Sequence, residues 1–95
     1  MKSLKKSMAM AYKVKTSKSF DKFLVKHSDI RHKVLESFET IAQNPYQNNL
    51  DISKLKGESH KYRLQLGKYC FLYEIIDEII LIYAYKADSR GDVYK

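Results

Sequence analysis

The sequence is poor in the residues that cross-link or break a backbone, with one cysteine, one proline and three glycines among 95 residues. A lone Cys70 excludes an internal disulfide, which fits a reducing compartment. There is also no apolar run long enough for a signal peptide or a membrane span. We therefore expect a cytoplasmic protein that meets no membrane, and the length allows one domain.

Positive charge is concentrated at one end of the chain, although the net charge is only +7. Residues 1–33 hold ten Lys/Arg and two Asp, a net +8, whereas residues 74–95 have a net charge of −2. This asymmetry indicates a polyanionic partner, either nucleic acid or an acidic protein segment. The alternative is a basic surface that only interacts with solvent.

Two helices are predicted in the first half of the chain. Ser17 is a candidate N-cap for the first, and Ser28 or Asp29 for the second. The dipeptide Asn44-Pro45 should end the second helix, because the residue before proline is disfavoured in helical conformation. Both helices have apolar residues at helical spacing, namely Phe20, Phe23 and Leu24, then Ile30, Val34, Phe38 and Ile41.

A tight β-hairpin is predicted around Gly67-Lys68, which Leu66 and Tyr69 flank. A two-residue turn there pairs Gln65 with Cys70 and Arg63 with Leu72. Because side chains alternate along a strand, these four residues share one face. The opposite face is apolar and comprises Leu64, Leu66, Tyr69, Phe71 and Tyr73.

The remaining pattern gives the fold class. Residues 1–9 read as a basic extension, and the domain should occupy residues 10–95, beginning with a strand over residues 10–16. Residues 46–57 read as a loop, and three strands follow over residues 61–66, 68–76 and 78–86. The last is apolar on both faces, which is typical of the middle of a sheet. The order β-α-α-β-β-β predicts a two-layer α+β domain.

Several short stretches, taken in order, resemble the RelE/ParE superfamily of toxins from type II toxin–antitoxin modules. The resemblance covers about residues 12–95. The stretches are Asn44-Pro45, Lys54-Leu55-Lys56-Gly57, Tyr62-Arg63-Leu64, Gly67-Lys68-Tyr69, Phe71-Leu72-Tyr73-Glu74-Ile75 and Arg90-Gly91-Asp92-Val93-Tyr94-Lys95.

The resemblance implies an antiparallel sheet with two helices packed on one face, and a cognate antitoxin that wraps the toxin. RelE-like members cleave messenger RNA on the ribosome by attack of a 2′-hydroxyl on the adjacent phosphate, without a cofactor. ParE-like members instead poison DNA gyrase. A third possibility is a small RNA-binding module that does not cleave.

The resemblance also suggests catalytic residues. Arg63 matches a basic residue on the first hairpin strand and is the leading candidate to contact the phosphate. Arg90 and Tyr94 match the basic residue and the tyrosine that end many RelE-like chains. The alternatives are a solvated arginine at position 63 and a tail that packs onto the sheet.

Gln65 and Cys70 depart from the family, which commonly has basic residues at both positions. A neutral thiol has no permanent charge with which to stabilise a phosphorane, and a buried structural Cys70 is favoured. Possible RNA contacts are Lys68, Lys86, Gln65 and His60, although a solvated role is more usual for the lysines and the histidine. The three histidines and Cys70 lack metal-ligand spacing, so we expect no metal site.

Overall fold

The computed structural model describes residues 11–89, which form two helices and a five-stranded sheet. The elements are β1 (Lys13–Thr16), α1 (Lys18–Lys26), α2 (Ser28–Gln43), β2 (Ile52–Lys54), β3 (Lys61–Leu66), β4 (Tyr69–Ile76), a 3₁₀ turn (Asp77–Ile79) and β5 (Leu81–Ser89). The strands lie in the order β1-β5-β4-β3-β2 in the sheet. The predicted α+β class, with two helices against one sheet, is confirmed. The predicted extension over residues 1–9, Arg90 and Tyr94 lie outside the described residues.

The sheet is mixed rather than wholly antiparallel as expected. Strand β1 pairs in parallel with β5, with Lys13 opposite Leu81 and Thr16 opposite Ala84, whereas the other three pairings are antiparallel. Alternation of side chains predicts which residues face the core, but it carries no information about the direction of a distant neighbour. The apolar strand β5 lies between β1 and β4, so its predicted central position is confirmed.

The strands differ from the sequence prediction at several points. Strand β1 begins at Lys13 rather than at residue 10, β4 begins at Tyr69 rather than at Lys68, and β5 ends at Ser89 rather than at Lys86. The segment expected to be a loop contains β2 (Ile52–Lys54), which pairs with β3 and places Ile52 opposite Leu64. The last strand begins at Leu81 rather than at Glu78, because Asp77–Ile79 forms a 3₁₀ turn and Ile80 takes a left-handed conformation with φ 51°. A β-branched residue rarely adopts a left-handed conformation, and this conformation at Ile80 interrupts the extended backbone before β5 begins.

The helix boundaries follow the predicted signals at two of the three ends for which a signal was named. The Ser17 hydroxyl accepts a hydrogen bond from the Phe20 amide at 3.1 Å, as a cap should. Asn44 ends α2, as predicted. The start of α2 was predicted wrongly: His27 is its N-cap and gives no side-chain cap bond. His27 is also the C-cap of α1, so a single residue joins the helices and leaves no room for a separate cap.

The core lies between the helices and one face of the sheet. Phe20 of α1 and Phe38 of α2 meet edge-to-face with ring centroids 5.6 Å apart, and Phe38 meets Tyr73 of β4 at 5.4 Å. Such aromatic pairs stabilise a core beyond the area that they bury. Neither helix in the described part of the chain has the length and apolar character to span a membrane. The other core residues are Leu24, Val34, Ile41, Ala42, Leu64, Phe71, Ile75, Ile82 and Ala84.

The hairpin of β3 and β4 has the predicted register, with Gln65 opposite Cys70 and Arg63 opposite Leu72. Gly67 has φ 59°, and Lys68 is not among the described residues with positive φ. Positive φ at only the first central residue is the pattern of a type II′ turn, which needs glycine there. The turn therefore fixes the register that separates the apolar face from the polar one.

Candidate nucleic-acid interface

One face of the sheet points away from both helices, and we call it the free face. Its residues alternate along β3, β4 and β5 with buried residues such as Leu64, Phe71 and Ile82, which contact the helices. Basic side chains outnumber acidic ones on this face. It comprises Lys15, Ser53, Lys61, Arg63, Gln65, Cys70, Leu72, Glu74, Tyr83, Tyr85, Lys86 and Asp88.

Arg63 and Lys86 lie in one row across the free face. Arg63 pairs with Leu72, and Leu72 pairs with Lys86, so the two cations are two strands apart. At the usual strand spacing their Cα atoms are about 10 Å apart. Arg63 is half-buried and Lys86 is exposed. The structure therefore brings two of the predicted residues close enough to reach neighbouring phosphates of one nucleic-acid strand.

The adjacent row comprises Gln65, Cys70 and Asp88, and it has no cation. Cys70 is fully buried although it is not part of the main core, and its thiol donates to the Gln65 Oε1 atom at 3.0 Å. The Gln65 amide nitrogen in turn donates to the Gly67 carbonyl at 2.6 Å. The prediction of a buried structural cysteine is confirmed. Asp88 adds a carboxylate, so this row disfavours a phosphate.

Tyr83 and Tyr85 form an aromatic pair on the free face that sequence analysis did not identify. Their ring centroids are 6.1 Å apart, and the Lys61 Nζ atom lies 5.7 Å from the Tyr85 ring centroid. The register of β5 shifts here, because Leu72 pairs with Lys86 but Tyr73 pairs with Ala84. Tyr85 is the unpaired residue of this β-bulge, which allows it to share a face with Lys86.

The first turn of α1 holds the backbone of the bulge. The Ser17 hydroxyl donates to the Tyr85 carbonyl at 2.9 Å, and the Ser19 hydroxyl lies 3.4 Å from the same oxygen. Burial raises the pKa of the Tyr85 phenol, and the negative charges of Glu58 and Glu74 raise it further. The Tyr85 phenol therefore stays neutral at physiological pH, and its backbone is held by Ser17.

Lys68 and His60 lie apart from Arg63. The Lys68 Nζ atom lies 5.5 Å from the centroid of Tyr69, whose ring packs against Phe23 on the helix side of the sheet. His60 is exposed immediately before β3, and its charge contributes to lowering the pKa of Asp77. The structure thus does not bring either residue together with Arg63 and Lys86, and their predicted RNA contacts remain predictions.

Asp77 joins three parts of the chain at the opposite end of β4. Its two carboxylate oxygens accept hydrogen bonds from the hydroxyls of Tyr12 and Tyr46, at 2.6 and 2.8 Å. These bonds lower the pKa of Asp77. The arrangement ties the start of β1 and the loop after α2 to the turn before β5, which is a structural role.

A groove runs between α2 and β1, which is an edge strand in the described sheet. Val14 and Leu35, which are 39% and 42% exposed, line it together with Glu36 and Glu39. Lys13 and Lys15 alternate with Val14 on β1 and are exposed. Within residues 11–89, no group of three or more His, Cys, Asp or Glu side chains is placed to bind a metal ion.

The fold and the basic free face can be compared with known proteins. No family model and no curated sequence matches the chain. Solved structures do match. The archaeal RelE–RelB complex from Pyrococcus horikoshii is 28% identical, with a TM-score of 0.74 over 86% of this chain and 98% of that chain.

Two further structures agree with that match. The RelB–RelE complex from Methanococcus jannaschii is also 28% identical, with a TM-score of 0.67 over 85% of this chain and 95% of that chain. The isolated E. coli RelE toxin is 22% identical, with a TM-score of 0.71 over 88% of this chain and 92% of that chain. At this identity the match supports the shared fold only. The chain is therefore similar in fold, and at 28% identity in sequence, to the RelE toxins of two archaeal toxin–antitoxin complexes.

Proposed function

We propose that this protein is the toxin of a type II toxin–antitoxin pair and that its free face binds messenger RNA on the ribosome in the cytoplasm. The observation that carries the proposal is the row that holds Arg63 and Lys86. Two cations about 10 Å apart on a rigid sheet can contact successive phosphates of a single strand. Arg63 suits the tighter contact, because a guanidinium can donate two parallel hydrogen bonds to one phosphate.

Cleavage by this face would proceed without a metal or cofactor. The 2′-hydroxyl oxygen attacks the adjacent phosphorus as its proton passes to a base, the bond to the 5′-oxygen breaks, and that oxygen takes up a proton, which leaves a 2′,3′-cyclic phosphate and a 5′-hydroxyl end. Arg63 would stabilise the charge that develops on the phosphorane, Arg90 would pair with the phosphate, and Tyr94 would relay the proton. Ribosome and substrate would provide much of the positioning.

The Gln65–Cys70–Asp88 row limits the cleavage rate. Cys70 and Gln65 bond to each other rather than to solvent, and neither has a charge that could assist the phosphorane. Asp88 opposes the developing negative charge. We therefore propose a weak ribonuclease, since one well-placed contact in the transition state is worth about 10²–10³ in rate.

This row also favours a second candidate function, a member of the family that does not cleave RNA. Such a protein could act on DNA gyrase, or hold RNA without cutting it. The ribonuclease and the non-cleaving protein would share the fold and the antitoxin, and they differ in whether transcripts are cleaved.

The partner proposed for the groove between α2 and β1 is an antitoxin, since the similar archaeal RelE chains were crystallised with RelB. An extended antitoxin segment could pair with the edge of β1 and place apolar side chains against Val14 and Leu35. Lys13 and Lys15 would attract acidic residues of that segment that lie on the side of β1 away from the groove. We expect a small acidic protein to be encoded beside this gene, and co-expression of the two should give a heteromer. Failure to form one in moderate salt would count against the toxin–antitoxin proposal.

The decisive experiment adds the purified protein to a translating extract and maps transcript 5′ ends by primer extension. Cuts placed at codons support the ribonuclease, whereas intact transcripts with trapped gyrase complexes, or with bound RNA, support the alternatives. Arg63→Ala should lower cutting by about 10²–10³ without unfolding the domain. Arg31→Ala is the matched control, because Arg31 is an exposed arginine on α2, on the helix side of the sheet. Equal activity of the two variants would remove Arg63 from the mechanism.

A further inference from the structure

The aromatic pair Tyr83 and Tyr85 has no role in the phosphate chemistry proposed above. Both side chains are half-buried, so each is supported by neighbours while part of its surface is open to solvent. They lie beside three cations of the free face, Lys15, Lys61 and Lys86, and beside two carboxylates, Glu74 opposite Tyr83 and Glu58, which lies 3.9 Å from the Lys61 Nζ atom. Aromatic rings between basic side chains are the combination that binds single-stranded nucleic acid, since every base has a π-face.

Tyr85 follows Tyr83 by two residues, so ordinary alternation places both rings on the same face. In a regular ladder Lys86 would point to the opposite face. The extra residue between the Tyr73–Ala84 and Leu72–Lys86 pairs cancels that alternation and brings Lys86 onto the face of the two rings. The short distance from the Lys61 Nζ atom to the Tyr85 ring, 5.7 Å, places the ring on the free face.

The backbone that carries this ring is held by the residue that caps α1. The Tyr85 carbonyl accepts the Ser17 hydroxyl at 2.9 Å. The Ala84 carbonyl accepts the Ser17 amide at 3.0 Å, so Ser17 holds the strand at the bulge and at the residue before it. A backbone that is already ordered loses little conformational entropy when a ligand binds, which favours binding.

We propose that Tyr85, supported by Tyr83, stacks on a nucleobase of single-stranded RNA whose phosphates contact Lys61 and Lys86. This inference rests on the proposed RNA binding by the free face and assigns the base contact, which Arg63 and Lys86 do not provide. An acidic peptide would be attracted by the same cations but has no base to stack. RNA is therefore the occupant that uses both the rings and the charges.

The test compares two probes of about ten nucleotides, a length within the site size of such surfaces. One is oligouridylate, and the other has the same ribose-phosphate backbone without bases. Fluorescence anisotropy measures both dissociation constants at several salt concentrations. The parent should bind the oligouridylate about tenfold more tightly than the abasic probe.

Tyr85→Leu should bind the two probes equally, and Tyr85→Phe should keep the tenfold preference because it keeps the ring. In both variants the dependence of binding on salt should match that of the parent, because no phosphate contact is lost. Arg63→Ala should instead weaken the binding of both probes equally and reduce the magnitude of the slope of log K against log salt by about 0.7. Tyr46→Leu is the matched control, because Tyr46 is an exposed tyrosine bonded to Asp77, in the loop after α2.

Each outcome decides the inference. Equal binding of the two probes by the parent, or a preference that persists in Tyr85→Leu, overturns base stacking while leaving RNA binding by the free face intact. A parent that binds neither probe overturns both the stacking and the proposed RNA binding. Thermal melts of Tyr85→Leu show whether the fold is kept. If that variant unfolds, the Tyr85→Phe preference and the parent's discrimination decide alone.

Discussion

Two of the hydrogen bonds of the Ser17 hydroxyl have different functions: it accepts from the Phe20 amide at 3.1 Å and donates to the Tyr85 carbonyl at 2.9 Å. The first bond caps α1 and the second satisfies a carbonyl at the β5 bulge. One side chain thereby couples the start of a helix to the irregular point of the central strand. Neither neighbouring element could shift along the other without breaking one of these bonds.

Removing that hydroxyl should destabilise the protein. Ser17→Ala loses the cap and leaves the Tyr85 carbonyl without this donor, so we expect the free energy of unfolding to fall by about 1–2 kcal/mol. Urea titration followed by circular dichroism measures the change. Ser28→Ala, at the start of α2 where no side-chain cap bond exists, should change it by only a few tenths. Equal losses in both variants would contradict the assigned double role.

Cys70→Arg should destabilise the fold rather than restore a catalytic cation. Cys70 is fully buried, and an arginine there would place a charge in a site sized for a thiol. The neighbouring Asp88 offers partial compensation, so we expect a loss of about 3 kcal/mol in urea titrations. Leu72→Arg, a half-buried position on the same face of β4, should lose less than half as much. A stable Cys70→Arg protein with higher cutting activity would show instead that this row is a weakened active site.

Asp77 should make the stability depend on pH at the acidic end. Hydrogen bonds from Tyr12 and Tyr46 lower its pKa in the folded protein below the unfolded value of 3.8. The folded state therefore binds this proton less readily than the unfolded state, so its contribution is complete above about pH 5 and is lost as the pH falls through the folded pKa.

The measurement is the free energy of unfolding between neutral and acidic pH. Asp77→Asn should be less stable than the parent at neutral pH and should lose less stability on acidification. Glu78→Gln, which changes the adjacent exposed carboxyl, should keep the pH dependence of the parent. If Asp77→Asn shows the same acid-dependent loss as the parent, the tyrosine contacts do not control this titration.

Gly67→Ala should weaken the hairpin. A methyl group at Gly67 would meet no atom within 4 Å, so the cost arises from the backbone, which has φ 59°. We expect a loss of about 1 kcal/mol in thermal or urea unfolding. Gly67→Asn should lose less, because asparagine adopts left-handed conformations more readily. A loss as large for asparagine as for alanine would indicate a cause other than φ.

The parts of the fold predicted from sequence are those set by local signals. Gly67 and the alternation on either side of it were sufficient for the hairpin register, and Ser17 and Asn44 were sufficient for two helix ends. Strand β2 was missed because a strand of three residues is defined by its pairing with β3 rather than by its own pattern. The parallel pairing of β1 was missed for the same reason.

Only part of the candidate site could be predicted from the sequence. Alternation placed Arg63 and Cys70 on the polar face, and the structure agrees. That Lys86 lies on the same face as Tyr83 and Tyr85 could not be predicted, because a bulge shifts the alternation by one residue and no residue type in β5 indicates where a bulge will occur. The only signal was the pair of tyrosines on either side of Ala84, in a strand whose two faces both read as apolar.

The parallel pairing of β1 and β5 also sets an order of assembly. Their paired residues are separated by almost the whole described chain, since Lys13 meets Leu81 and Thr16 meets Ala84. A long loop must close before this pair forms, whereas the β3–β4 hairpin closes over two residues and can form early. During synthesis β1 leaves the ribosome first and can pair only after β5 has followed. A nascent chain thus has neither the complete five-stranded sheet nor the complete free face until β5 has emerged.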